Sequence, residues 1–287
     1  MPEIVDSLIA RLARAERSLR HRVKLRAERA RLQAAVRAGT PVVVVYSPQK
    51  TGSTAAAAAV EACGDLCVAK AHTLLPEHDW DGDLGRRVHP DGTILLGSHY
   101  TQAVREVILQ PRVPAKFVVT LREPVATNLS WFAFAAERNW LRDRRGDLDA
   151  IPGPELARLF VERFAHMSVC VWPERELGPA LGYDPYAAPF DHAAGWSLTD
   201  AGPFEVLVLR ADLDDARKGE ALGRLLERAP LRVGRARESG GGAGGIYARL
   251  REAIRAHPEY VDRMLATRYA RHWWSPQELE RIRASWR

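Results

Sequence analysis

Residues 42–54 read VVVVYSPQKTGST, a run of valines that leads into a polar turn with one glycine. The apolar run is typical of a strand buried on both faces, and the alanine-rich TAAAAAVEA that begins at residue 54 predicts a helix. A strand, a tight turn and a helix start often bind an anion, because the first N–H groups of a helix lack partners and its dipole is positive there. The stretch therefore predicts an α/β protein with an anion-binding loop.

Five residues of this turn are the candidate anion ligands: Lys50, Thr51, Gly52, Ser53 and Thr54. The glycine allows the backbone to turn tightly beside a ligand, and the hydroxyl groups add hydrogen-bond donors. The chain has 42 arginines and lysines, of which only five are lysines, so a lysine within this turn is a notable choice.

The turn differs from the nucleoside triphosphate loop G-x-x-x-x-G-K-[ST], in which the lysine follows the glycine and a hydroxyl residue binds Mg²⁺. Here Lys50 precedes Gly52, and the loop is shorter. The sequence has no clear apolar strand ending in an aspartate that would hold a metal. We therefore expect no metal cofactor, and a nucleotide-dependent kinase with an atypical loop is the alternative enzyme.

Apolar and helical segments alternate along the body of the chain. The predicted strands are Val42 to Tyr46, Leu66 to Ala69, Thr93 to Leu96, Lys116 to Leu121 and Phe204 to Leu209. Helical patterns cover about 54–63, 101–110, 124–140, 154–171 and 215–228, and the part from about 246 on is helical. This alternation predicts a doubly wound α/β domain over 41–287, with a P-loop-like parallel sheet and helices on both faces.

Residues 3–37 are predicted to form one long basic helix, so that 1–40 is a helical extension of the domain. An apolar stripe falls near one face of this helix and contains Ile4, Leu8, Leu12, Leu19 and Val23. The segment 1–40 has ten basic and four acidic residues and therefore carries the whole net charge of +6. The stripe suits packing on the body, self-association with a second copy, or contact with an anionic membrane surface. The balanced charge of the body gives no reason to expect a nucleic-acid partner.

No run of eighteen apolar residues predicts a transmembrane helix, and no secretory signal is recognisable. Cys63, Cys67 and Cys170 are an odd number without C-x-x-C spacing, which favours reduced, buried thiols. We expect a cytoplasmic protein, peripheral to the membrane if residues 1–40 contact it.

A second candidate anion site lies in KFVVTLREPVATNLSWFAF, residues 116–134. The predicted strand ends at Leu121, which puts Arg122 at the carboxyl edge of the sheet, where α/β proteins bind ligands. Pro124 suits the first helical position, and Ser130 follows two turns later. An arginine and a serine at this edge form a second phosphate clamp, separate from the first loop.

Together, the KTGST loop and the R-x-P-x5-S pair resemble the sulfotransferases that use 3′-phosphoadenosine-5′-phosphosulfate (PAPS). In that family a P-K-x-G-[ST]-[ST] loop binds the 5′-phosphosulfate and an R-x-P-x5-S element binds the 3′-phosphate; here Pro48 lies one residue further from Lys50. Over roughly 41–287 the chain is similar to a bacterial branch described as capsular polysaccharide synthesis proteins. That similarity includes Lys70-Ala71-His72, the segment WPERELGPALGYDPYAAPFD at 172–191 and the tail RYARHWWSPQELERIRASW.

The resemblance implies sulfuryl transfer from PAPS to a hydroxyl of a carbohydrate or small-molecule acceptor, with 3′,5′-phosphoadenosine as the by-product. It implies that Lys50 is the cation at the leaving phosphate oxygen. For the base that takes the acceptor's proton, the candidates are His99 in TILLGSHY and His72 in KAHTL, and family placement favours His99. Ala55 replaces the tryptophan that stacks on adenine in animal-type members.

Two alternatives stay open at this point. The kinase hypothesis predicts binding of magnesium ATP. A non-catalytic scaffold with the same fold, held at the membrane surface by its basic N-terminal helix, predicts that deletion of residues 1–38 abolishes its association with the membrane or a partner.

Overall fold

The computed structural model describes residues 2–75, 99–136, 150–234 and 245–287, without the side chains of residues 2–18 and 99. Within these ranges one five-stranded sheet contains β1 Val42–Tyr46, β2 Cys67–Ala71, β3 Ala115–Leu121, β4 Trp196–Ala201 and β5 Phe204–Arg210. The strand order is β2-β1-β3-β5-β4. The first four strands of this order are parallel, and β4 pairs with β5 in the antiparallel direction.

The same ranges contain twelve α-helices, which lie around the sheet. They are α1 Pro2–Ala38, α2 Ser53–Glu61, α3 His99–Val104, α4 Pro124–Ala135, α5 Gly153–Arg163, α6 Ser168–Trp172, α7 Gly178–Leu181, α8 Asp215–Leu225, α9 Ile246–Ala253, α10 Pro258–Leu265, α11 Arg268–Trp273 and α12 Pro276–Ser285. Wide π-helical turns at Arg105–Leu109 and Pro173–Leu177 continue α3 and α6, and a 3₁₀ turn at Ile254–Ala256 continues α9. No helix in the described part of the chain is long and apolar enough to cross a bilayer.

Both faces of the sheet are buried, because alternate residues of a strand point to opposite sides. Val44 and Phe117 belong to the larger core, which α1, α4 and the helices after residue 245 share. Val43, Val45 and Val118 belong to a second core, which α2 and α8 cover on the other face. The continuous valine run at 42–45 is therefore explained by burial on both faces.

The α/β class, the mainly parallel sheet and the helices on both of its faces are confirmed. The antiparallel edge strand β4 was not predicted, because WSLTDA is exposed over Leu198, Thr199 and Asp200 and has no continuous apolar run. The prediction of one continuous helix over 154–171 is wrong. The chain forms two helices there, α5 and α6, because Phe164 adopts an extended conformation after α5. The predicted strand Thr93 to Leu96 lies outside the described residues.

Candidate functional site

The crevice between the carboxyl ends of β1 and β3 is the candidate functional site. β2 lies on one side of β1 and β3 lies on the other, so the direction in which strands are added reverses at this point. Open α/β sheets bind ligands at such a switch point. The loop after β1 and the segment that begins with Arg122 after β3 both leave the sheet here, so the two predicted anion-binding elements adjoin.

Side-chain hydrogen bonds join the loop after β1 to strand β3. The Ser47 Oγ accepts a hydrogen bond from the Thr120 N–H at 2.8 Å, and Thr51 Oγ1 lies 3.0 Å from Thr120 Oγ1. The Thr51 hydroxyl also donates to the Pro48 carbonyl at 2.8 Å, which closes the turn. Thr51 is fully buried, so its hydroxyl shapes the loop from beneath.

The loop backbone is left-handed at two positions, with φ of 66° at Lys50 and 89° at Gly52. A positive φ is ordinary for glycine but uncommon for lysine, and such strain is concentrated at functional sites. α2 begins directly after Gly52, which does not cap it with a side chain. Within the described residues, the backbone N–H groups of Gly52, Ser53 and Thr54 have no hydrogen-bond acceptor. Three N–H donors at a helix start suit an anion.

Arg122 approaches this loop from the end of β3. Its Nη1 donates to the Lys50 carbonyl at 3.4 Å, and across the described ranges its guanidinium forms no ion pair. Its side chain is partly exposed. A cation that borders a set of open N–H donors and lacks an acidic partner favours a bound anion.

Ser130 lies on α4 and is 9% exposed. Its hydroxyl has no hydrogen bond to any described residue. Phe134 follows one turn later on the same face of α4 and lies beneath the ammonium of Lys50, 4.8 Å from the ring centre. The face of α4 that carries Ser130 is therefore turned toward Lys50. Since Arg122 also contacts Lys50, Arg122 and Ser130 both lie beside the same loop.

Three of the five lysines in the chain gather around this loop. Besides Lys50, Lys70 on β2 donates from Nζ to the Thr54 Oγ1 at 2.6 Å, and burial lowers the pKa of Lys70. Lys218 on α8 lines a cavity that also borders Gly52. The site is therefore strongly cationic, although the domain as a whole is electrically balanced.

His72 follows the end of β2, beside the same loop. Its Nδ1 lies 2.8 Å from the Ser47 carbonyl oxygen. Because a carbonyl oxygen only accepts hydrogen bonds, Nδ1 carries the proton, and Nε2 is the basic nitrogen of the neutral ring. The Trp172 indole donates to the His72 carbonyl at 2.9 Å, which fixes the backbone as well. The ring is thus held in one tautomer, in which Nδ1 carries the proton and Nε2 can accept one.

His99 is the first residue of α3, and its side chain lies outside the described part of the structure. Two other histidines make structural contacts. His166 packs among Phe160, Phe164 and Tyr260, and burial lowers its pKa to about 4. His192 donates from Nε2 to the carbonyl of His272 at 3.0 Å.

The helices after residue 245 hold the Arg122 segment in place. The Tyr269 hydroxyl donates to the Arg122 carbonyl at 2.9 Å, and the Trp286 indole donates to Glu123 Oε1 at 3.2 Å. The Glu123 carboxylate caps α4 by accepting from two backbone N–H groups. Burial raises the pKa of Glu123 to about 7, although these donors and the charge of Arg122 oppose the rise.

A small cavity opens on the α8 side of the loop. Its walls include Gly52, Ala55, Ala211, Leu222 and Val233, with Lys218 as the charged lining residue. The small side chain of Ala55 leaves this space open between α2 and α8.

Several residues at this site were not predicted as functional. They are Lys70, Glu123, Phe134, Tyr269 and Trp286. The rarity of lysine and the segment Lys70-Ala71-His72 were the available signals for Lys70, whereas Tyr269 and Trp286 meet Arg122 and Glu123 only after the chain has folded. No cluster of three potential metal ligands occurs in the described ranges.

No protein-family model matches the chain, and comparisons with curated proteins and with solved structures also give no match.

Proposed function

We propose that the protein is a sulfotransferase that uses PAPS as donor and a hydroxyl of a carbohydrate or small molecule as acceptor. One observation carries the proposal. Two anion-binding elements, the 50–54 loop and the Arg122–Ser130 pair, meet at the switch point of the sheet, with Arg122 hydrogen-bonded to the Lys50 carbonyl. A nucleotide with phosphates at both the 5′ and 3′ positions requires two adjacent clamps of this kind.

The donor fits the residues present. The open N–H groups of Gly52, Ser53 and Thr54, with the Lys50 ammonium, suit the 5′-phosphosulfate. Arg122 has no ion pair and Ser130 no hydrogen bond within the described ranges, which suits the 3′-phosphate.

The cavity beside the loop has apolar walls at Ala55, Ala211 and Val233, which suit the flat face of an adenine ring. When bound, PAPS supplies the sulfuryl group, and 3′,5′-phosphoadenosine remains.

Lys50 and Lys70 provide positive charge where negative charge develops on the leaving phosphate oxygen. Lys70 is held by Thr54 at the start of α2, so its ammonium already faces the loop. Preorganised cations of this kind accelerate group transfer by stabilising charge without reorganisation.

We assign the role of general base to His72. Its Nδ1–H is bound by the Ser47 carbonyl, so Nε2 accepts the proton of the acceptor hydroxyl. The sequence alone favoured His99, and the hydrogen bond to the loop is the reason for preferring His72. His99 remains the alternative base and is tested beside it.

Thermal unfolding with 3′,5′-phosphoadenosine tests the proposal. At about 100 times its dissociation constant the nucleotide adds about 2.7 kcal/mol of stability, which for a chain of this size corresponds to roughly 5 to 10 °C. The wild type should show this shift, Lys50→Ala and Arg122→Ala should lose it, and Arg281→Ala on the exposed side of α12 should keep it.

Other outcomes decide against the proposal. A shift with magnesium ATP and none with 3′,5′-phosphoadenosine would favour a kinase. The absence of a shift with either nucleotide would favour a non-catalytic scaffold. Retention of the full shift by Lys50→Ala would show that the nucleotide binds elsewhere.

A further inference from the structure

Helix α1 has two opposite sides. Leu25, Glu28 and Leu32 are 7%, 8% and 0% exposed and lie against the domain. Leu19 and Val23, in contrast, are 57% and 61% exposed. At about 100° per residue, this pair lies roughly 170° around the helix from the side that packs on the domain. The apolar pair is therefore not explained by packing of α1 on its own domain.

The same apolar pattern continues in the sequence toward the start of the helix. On an ideal helix, Ile4, Leu8 and Leu12 share the side of Leu19 and Val23. The five apolar positions span about 30 Å along the axis. This length suits a helix that lies flat on a surface.

The charged residues between positions 19 and 27 are all positive. Arg20, Arg22, Lys24 and Arg26 are exposed, and no acidic residue occurs between 19 and 27. A second copy of α1 would bring the same positive charges together and be repelled. Anionic phospholipid headgroups would complement these charges, and the apolar side chains would reach the acyl boundary below them.

We propose that α1 binds the surface of an anionic phospholipid bilayer through the side that carries Leu19 and Val23. The helix lies in the plane of the interface, and the domain stays on the aqueous side, attached through Leu25 and Leu32. This inference does not depend on the proposed reaction.

Flotation of the full chain with vesicles tests this surface. The vesicles are phosphatidylcholine alone or phosphatidylcholine with about 30% phosphatidylglycerol. We expect binding to the anionic vesicles only, weaker at high salt because exposed charges are screened. The double variant Leu19→Asp/Val23→Asp should bind at least about tenfold more weakly, because both substitutions remove apolar contact and add repulsion.

A matched pair of charge reversals separates a directed surface from a general charge effect. Arg26→Glu and Lys24→Glu change the net charge equally. Arg26 lies about 40° from the centre of the exposed side and Lys24 about 120° from it. Arg26→Glu should therefore weaken binding more than Lys24→Glu. Circular dichroism identifies any variant that has lost helix.

Three results would overturn the proposal. They are failure of the wild type to bind anionic vesicles, equal binding to neutral vesicles, and unchanged binding by the Leu19→Asp/Val23→Asp variant. Light scattering that shows a dimer, dissociated by the same two substitutions, would identify a second copy of the chain as the partner.

Discussion

The ammonium of Lys50 lies over the ring of Phe134, 4.8 Å from the ring centre, although the two residues belong to different elements. Lys50 is in the loop after β1, and Phe134 is near the end of α4. The contact directs the lysine toward the face of α4 that carries Ser130. It therefore connects the two anion-binding elements through the side chain expected to stabilise the leaving group.

Phe134→Leu removes the aromatic face while keeping an apolar side chain. A cation–π contact of this kind is worth about 1 kcal/mol, so the affinity for 3′,5′-phosphoadenosine should fall about fivefold, measured by calorimetry. Phe134→Tyr should retain wild-type affinity. An affinity of Phe134→Leu equal to that of the wild type would show that the contact with Lys50 does not contribute to nucleotide binding.

His72→Ala should lower kcat for sulfuryl transfer by about 10² to 10⁴ and leave the binding of 3′,5′-phosphoadenosine intact, because a base acts on the acceptor proton. His257→Ala, a partly exposed histidine on a distant turn, is the control. If His99→Ala causes the loss and His72→Ala does not, the base is His99.

Lys50 has a side chain that we propose binds the nucleotide and a backbone with positive φ. Two substitutions separate these two features. Both Lys50→Ala and Lys50→Gly should abolish nucleotide binding. Lys50→Gly should be more stable than Lys50→Ala by about 1 kcal/mol, because glycine adopts a φ of 66° without the steric cost to Cβ. Urea unfolding measures the difference. Equal stabilities would show that the loop relaxes when the lysine is removed.

His166 should make the fold sensitive to mild acid. Its folded pKa of about 4 is below its ordinary value of 6.5, so the unfolded chain binds a proton more readily. The resulting stability is complete above about pH 6.5 and is lost as the pH falls to about 4, a change of the order of 3 kcal/mol. His166→Phe should lose less stability than the wild type between pH 7 and pH 4.5, as measured by urea unfolding. Parallel pH profiles would contradict this.

Glu278 should stabilise the fold through Arg210, which is 4% exposed and donates to Glu278 Oε1 at 2.6 Å. Glu278→Ala removes this hydrogen bond and leaves Asp212 as the ion-pair partner of the buried guanidinium, so the free energy of unfolding should fall by about 2 kcal/mol at pH 7. Glu280→Ala, on the exposed side of α12, should have little effect.

The same pair adds a second acid transition. Burial alone would raise the pKa of Glu278, but hydrogen bonds from Arg210 and Ser275 lower it to about 2. A lowered folded pKa means that the contribution is present above about pH 4.5 and is lost as the pH falls toward 2. Wild type and Glu278→Ala should therefore converge in stability near pH 2. A constant difference between them would show that the loss comes from packing rather than from charge.

Local sequence was sufficient for the fold class and for the loop. The valine run, the turn at Gly52 and the alanine-rich helix are contiguous, so their periodicity and turn chemistry predict β1, the loop and α2 directly. Arg122 and Ser130 belong to one strand–helix junction, so their proximity was also predictable from the sequence.

Tertiary structure alone decided which distant side chains meet at that loop. Trp286 donates to Glu123 across 163 residues, and Phe134 and Lys70 reach the loop from α4 and β2. The hydrogen bond between His72 and the Ser47 carbonyl depends on the pairing of β1 with β2. Periodicity and turn chemistry act over a few residues, and they determined where this chain forms its strands, turns and helices. Which side chains share the crevice was decided by the order of strands and the packing of helices, because no local pattern encodes contacts between distant segments.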